Sequence, residues 1–157
     1  MANAFNNFYS NLGNSIEQKI PKSQKCYSSY LNTPIYSTFF ALPCDETEIK
    51  AIISNFGTKK ASGPYSIPTN LLKEFSNLLT YPLKIIINKS LTEGIFPTIL
   101  KTAQVCPIYK KSDKTKCINY RPISLLLNIT KIFERIMYNR LEKYLEKNNL
   151  TTLKNTI

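Results

Sequence analysis

At 157 residues, 43% of them apolar and 11% aromatic, the chain is long enough for one domain with its own core and too apolar for wholesale disorder. No run approaches the roughly 18 to 20 apolar residues of a membrane span, no basic-then-apolar leader opens it, and it holds no histidine for a nucleophile or general base. Net charge is +11, all of it after Phe56: residues 1–56 balance four lysines with four acids, whereas residues 57–157 set 17 Lys and Arg against six acids.

A basic region of this size attracts a polyanion by counterion release. The four cysteines, at 26, 44, 106 and 117, are too far apart for a zinc knuckle and read as reduced thiols. An intracellular protein, cytoplasmic or nuclear and without a membrane partner, is the expectation.

Phe5, Phe8, Leu12, Ile16 and Ile20 recur at helical spacing and predict a helix over residues 4–20. Residues 21–35, with Pro21 and Pro34, read as a linker. Thr38 to Leu42 is β-like. Asp45 predicts a helix N-cap with Glu48 as its capping-box partner, Ile49, Ile52, Ile53 and Phe56 as the apolar stripe, and Gly57 as the stop. A loop of turn formers leads to Pro68, which suits a first helical turn. Leu71, Leu72, Phe75, Leu78 and Leu79 follow at helical spacing, with a joint at Tyr81-Pro82. A further helix runs from Leu83 to Thr92 under a Gly94 cap, and a short helical stretch ends near Lys101. Ala103 to Tyr109 and Tyr120 to Leu125 predict a hairpin across a polar turn. Asn128 is placed as N-cap of a helix reaching about Lys147, with Ile132, Phe133, Ile136, Met137, Leu141, Tyr144 and Leu145 on its apolar face. The sum is α+β, predominantly helical, with one short β-hairpin.

Only two aspartates occur, and Asp45 suits a cap while Asp113 suits a turn. A two-metal centre needs several carboxylates converging on ions roughly 4 Å apart, and none is spaced for it. What remains is Val105 to Leu126. Lys110 ends the first strand and Arg121 starts the second, so a hairpin brings both to one rim. A lysine point charge and an arginine fork can together clamp a triphosphate. Basic residues beside a turn are ordinarily solvated, and spacing alone does not decide between the two.

N-Y-R-P-I-S-L-L at 119–126, following I-Y-K-K at 108–111, resembles the start of the reverse transcriptase domain of non-long-terminal-repeat retrotransposons, in particular the jockey-like group. Also similar are K-K-A-S-G-P at 59–64 with Ile67-Pro68, L-L-K-E at 71–74, N-K-S-L at 88–91, G-I-F-P at 94–97, K-I-F-E-R-I-M at 131–137 and N-R-L at 139–141. A-N-A-F-N-N-F-Y-S at 2–10 resembles the connector before the polymerase, so the resemblance covers residues 2–150 in order.

The resemblance implies a partial fingers subdomain of a right-hand polymerase. It implies a connector over 1–43, a partial reverse transcriptase domain over 44–150 and an unassigned tail over 151–157. It implies that Lys110 and Arg121 hold the triphosphate of a deoxynucleotide, with Lys111 as a substitute for Lys110. Lys59, Lys60, Lys111, Lys131 and Arg135 become candidates for contact with an RNA template or RNA/DNA hybrid. Two departures stand out. The family loop G-P-D-G-I-P reads Gly63-Pro64-Tyr65-Ser66-Ile67-Pro68, which suggests a drifting copy. The pattern also ends after Leu150, ahead of the palm aspartates that hold Mg²⁺ in the complete enzyme. The expectation is therefore a truncated, inactive polymerase fragment with no cofactor of its own. The alternatives are a small basic nucleic-acid-binding protein without catalysis, or a non-functional remnant of marginal stability with the Ile132 to Leu145 stripe uncovered.

Overall fold

The computed structural model describes residues 1–30, 37–57, 63 and 67–150. In chain order its elements are α1 (Ala2–Glu17), α2 (Glu46–Ser54), α3 (Thr69–Glu74), α4 (Ser76–Glu93), β1 (Gln104–Tyr109), β2 (Tyr120–Leu125) and α5 (Asn128–Lys147). Single 3-10 turns lie at Tyr27–Tyr30, Thr98–Lys101 and Cys117–Asn119. β1 and β2 pair as a two-stranded sheet, so the mostly helical α+β class with one hairpin is what the chain adopts. Among the described residues no helix is long and apolar enough to cross a membrane.

The chain divides into two compact units, Met1–Tyr36 with Val105–Ser124, and Ser37–Gln104 with Leu125–Ile157. The second holds the core. Ile49, Ile52 and Ile53 of α2, Leu72 of α3, Leu83 and Ile87 of α4, Leu100, and Ile132, Phe133 and Ile136 of α5 are buried together. Full burial of each such side chain stabilises by about 1.5–3 kcal/mol. Phe96 meets Phe133 edge-on at 5.3 Å. In the first unit no described side chain belongs to a buried core. Aromatic edges join its parts instead: Phe5 of α1 meets Tyr120 at 4.9 Å, and Tyr9 donates to the Tyr120 carbonyl at 3.4 Å.

Several local expectations hold. The Asp45 carboxylate accepts from the Glu48 N–H at 2.7 Å and caps α2. Gly94, at φ 67°, ends α4 in the left-handed region that favours glycine. Both strands and the length of α5 fall where the pattern put them.

Others are corrected. Thr38 to Leu42 forms no strand. Its polar and aromatic groups are taken up singly by α5: Tyr144 packs on Phe39 at 5.5 Å, and Arg140 takes the Leu42 carbonyl. Glu48 does not close a capping box, because its carboxylate is engaged by the Arg140 guanidinium, a stronger charge-assisted partner than a neutral N–H. The expected joint at Tyr81-Pro82 is absent. α4 runs through Pro82, and the break falls at Phe75, which ends α3 and opens α4. Asn128 is not an N-cap either: Leu127 precedes the helix without a side-chain cap, and the Asn128 amide donates to the Ile67 carbonyl at 2.8 Å. α1 stops at Glu17, leaving Ile20 exposed, and α2 stops at Ser54, three residues before Gly57. The apolar stripe of α5 divides: Ile132, Phe133 and Ile136 are buried, Met137 and Leu141 are exposed. Further exposed apolar side chains lie on α4, at Leu78, Tyr81 and Ile85.

Candidate functional site

The hairpin fixes the first candidate site by register. The Lys110 N–H donates to the Asn119 carbonyl at 2.9 Å. That pairing sets Tyr109 opposite Tyr120, whose rings touch at 5.5 Å, and Ile108 opposite Arg121. Side chains alternate along a strand. Tyr109 and Tyr120 therefore share one face, where Phe5 of α1 packs on Tyr120, and Lys110 and Arg121 share the other. Both basic side chains are exposed. As diagonal neighbours across the pair they stand about 7–8 Å apart at the backbone, within joint reach of one polyphosphate. The face can thus offer a point charge and a planar fork to the same anion.

The turn between the strands is tightly bonded. The Asp113 carboxylate accepts from the Thr115 N–H at 2.9 Å and the Thr115 hydroxyl at 2.7 Å, and these bonds hold it below the usual carboxylate range. The Asn119 amide donates to the Asp113 carbonyl at 2.8 Å and the Tyr120 hydroxyl to the Lys114 carbonyl at 2.9 Å. Asp113 is a turn residue, as its setting in the sequence indicates. Lys111 stands exposed at the start of this turn.

The other candidates lie in the second unit. Lys131 and Arg135 line an open groove of about 870 Å³ between α2 and α5, whose walls include Asn55, Asn128 and Asn139. Lys131 donates to the Asn128 amide oxygen at 3.1 Å, and the Arg135 guanidinium lies 5.4 Å from the centre of the Tyr138 ring. Lys59, Lys60 and the Tyr65-Ser66 departure lie outside the described residues.

Three residues carry more of the architecture than their sequence setting revealed. Arg140 sits among the apolar positions of α5, its side chain 8% exposed, and grips Glu48 of α2 with both terminal nitrogens at 2.6 Å. Its Nε and Nη2 also donate to the Leu42 and Pro43 carbonyls, at 2.9 and 3.1 Å. The guanidinium holds the Glu48 carboxyl below its ordinary value, and Glu48 in turn raises that of Arg140. Asn88 of α4 donates to the Cys44 carbonyl at 2.9 Å and accepts the Cys44 N–H at 2.8 Å. Gly63 donates its N–H to the Leu126 carbonyl, and a Cβ there would stand 2.6 Å from the Leu125 carbonyl oxygen. The sequence signal for Arg140 was available: a cation four residues beyond Ile136 on a buried helical face needs a partner.

The residues do not fit a two-ion metal centre. Asp45 caps α2, Glu48 holds Arg140 and Asp113 holds its turn. Among the described residues no three His, Cys, Asp or Glu side chains converge. No chemical step through a metal ion is therefore assigned to them.

No protein-family model matches the chain. Over 113 residues it is 31% identical to the RNA-directed DNA polymerase from mobile element jockey of Drosophila melanogaster, a span of 71% of this chain and 12% of that protein. The corresponding polymerase of Drosophila funebris is 30% identical over 112 residues, and the probable RNA-directed DNA polymerase from transposon BS of Drosophila melanogaster is 31% identical over 112. The chain spans about 12% of the length of these relatives.

Proposed function

Since the chain is homologous to a segment of the RNA-directed DNA polymerases of jockey-like non-long-terminal-repeat retrotransposons, we propose that it is a fingers element of such a polymerase and grips the incoming deoxynucleotide. The observation that carries this reading is the shared hairpin face of Lys110 and Arg121, opposite the face on which α1 packs. Lys110 neutralises a terminal phosphate and Arg121 fixes another through paired N–H donors. Binding here is phosphate-directed and indifferent to the base. Lys131, Arg135 and the two lysines at 59 and 60 are proposed to meet the template RNA. The connector over residues 1–43 precedes this fingers element, which occupies 44–150.

The contribution proposed is binding without bond making. Two measurements test the reading on the full chain. Titration with a fluorescent deoxynucleotide triphosphate is expected to show binding that falls about ten- to a hundredfold for Lys110→Ala and again for Arg121→Ala, since each charge-assisted bond contributes about 1.5–3 kcal/mol. Parent-like affinity in both variants would overturn it. Primer extension on an RNA template with magnesium is expected to give no product, and DNA synthesis by the chain alone would refute the binding-only assignment.

A further inference from the structure

Lys110 and Arg121 stand on a hairpin that has little rigidity of its own. An isolated two-stranded hairpin is marginally stable in water, and in its unit no described side chain belongs to a buried core. Two cations on different strands hold one anion well only if the register between the strands is fixed beforehand. The packing that fixes it comes from α1. Phe5, Phe8, Tyr9 and Leu12 form the partly buried stripe of that helix, which lies against the Cys117–Asn119 turn leading into β2. Phe5 meets the Tyr120 ring edge-on at 4.9 Å, and Tyr120 meets Tyr109 at 5.5 Å. Three rings thus run from the helix across both strands, on the face behind the grip.

A second contact falls on the backbone beside Arg121. Opposite residues of an antiparallel pair alternate between hydrogen-bonded and non-bonded. The Lys110 N–H bonds to the Asn119 carbonyl, so Tyr109 and Tyr120 form a non-bonded pair and the Tyr120 carbonyl points out of the ladder. The Tyr9 hydroxyl donates to that carbonyl at 3.4 Å. The acceptor belongs to the peptide unit whose nitrogen is that of Arg121. Through Tyr9, α1 therefore holds the peptide that carries the guanidinium fork.

We propose that α1 is a positioning element of the triphosphate grip, with Phe5 and Tyr9 as its positioning residues, so that docking of α1 and binding of the triphosphate strengthen each other. The inference rests on the triphosphate reading of Lys110 and Arg121 and adds to it two residues that touch no ligand. The coupling is reciprocal: the factor by which a docked α1 raises affinity for the anion is the factor by which the anion favours docking.

Hydrogen exchange and titration with a fluorescent deoxynucleotide triphosphate, both on the full chain, test this. Phe5→Ala should speed exchange of the ligand-free Lys110 amide and weaken triphosphate binding, each about three- to tenfold, the worth of one aromatic edge contact. Phe5→Tyr, which keeps the ring, should restore both. Tyr9→Phe should weaken binding about twofold, the low end for a neutral hydrogen bond of this length. In the parent, saturating triphosphate should slow exchange at the Tyr9 amide, and exchange at Ile132 and Phe133 should be parent-like in every variant. Parent-like triphosphate affinity in Phe5→Ala overturns the inference even if the Lys110 amide exchanges faster, because α1 would then pack on the hairpin without positioning the grip. Parent-like affinity in Tyr9→Phe overturns the role of Tyr9, and an unprotected Tyr9 amide overturns the coupling. In all three cases loss of binding in Lys110→Ala leaves the triphosphate reading intact, whereas a parent chain that binds no triphosphate overturns that reading and this inference with it.

Discussion

Replacing Glu48 by glutamine keeps the side-chain shape and removes one charge from a nearly enclosed pair. Arg140 makes four hydrogen bonds there, two of them to Glu48. With glutamine, one neutral oxygen remains for two N–H groups, and the guanidinium keeps its charge beside two carbonyls. Removing one partner of a buried pair costs about 3–5 kcal/mol, and Glu48, with its side chain 23% exposed, belongs at the lower end of that range. A chain of this size has about 5–15 kcal/mol to lose, so urea unfolding should show a large drop in midpoint. The pair also predicts a pH dependence. The folded-state value of Glu48 is depressed by Arg140, so its contribution is present above the unfolded value and is lost as pH falls through the folded one. Stability of the parent chain should therefore fall from about pH 5 downward, and Glu48→Gln should flatten that slope. Arg140→Met completes the cycle. A coupling energy below about 0.5 kcal/mol between the two sites would place the pair with ordinary surface ion pairs and refute the reasoning.

Two further substitutions probe how the larger unit is locked. Gly63→Ala sets a methyl 2.6 Å from the backbone oxygen of Leu125, a contact with no flexible side chain to yield, and should destabilise by about 1–3 kcal/mol in the same urea assay. Asn88→Ala removes both hydrogen bonds to Cys44 and leaves its N–H and carbonyl without these partners. The expected loss is about 1–3 kcal/mol, and faster hydrogen exchange at the Cys44 amide should accompany it.

The elements legible in the sequence were those with a local cause. Periodicity marked α2 and α5, Gly94 marked the end of α4, and two short β-rich runs around a polar turn marked the hairpin. The misplaced features have non-local causes. Pro82 reads as a break because its ring forbids one hydrogen bond, yet Leu83 and Ile87 bury directly after it and carry the helix through. Asn128 reads as a cap because asparagine caps helices, but the Ile67 carbonyl lies within its reach and takes the amide. Thr38 to Leu42 has the composition of a strand, and among the described residues no strand pairs with it. In the hairpin, the sequence placed Lys110 and Arg121 near one rim. Only the register shows that they share a face and that the two tyrosines share the other.

The segments that resemble the jockey-like polymerases divide by what their residues do. N-R-L holds Arg140, N-K-S-L holds Asn88, and S-G-P holds Gly63. Each joins parts of the larger unit that are far apart in sequence. The hairpin segments behave differently. The tyrosines and the Lys110 N–H fix the register, while the Lys110 and Arg121 side chains make no hydrogen bond or ion pair among the described residues and stand exposed. A basic pair with no structural partner is free to meet a ligand. Substituting it should therefore leave the urea midpoint within about 0.5 kcal/mol of the parent while removing triphosphate binding. That separation of stability from binding distinguishes a grip from a strut. Were Lys110→Ala or Arg121→Ala to lower the midpoint as far as Asn88→Ala does, the hairpin face would be part of the scaffold and the binding assignment would fall.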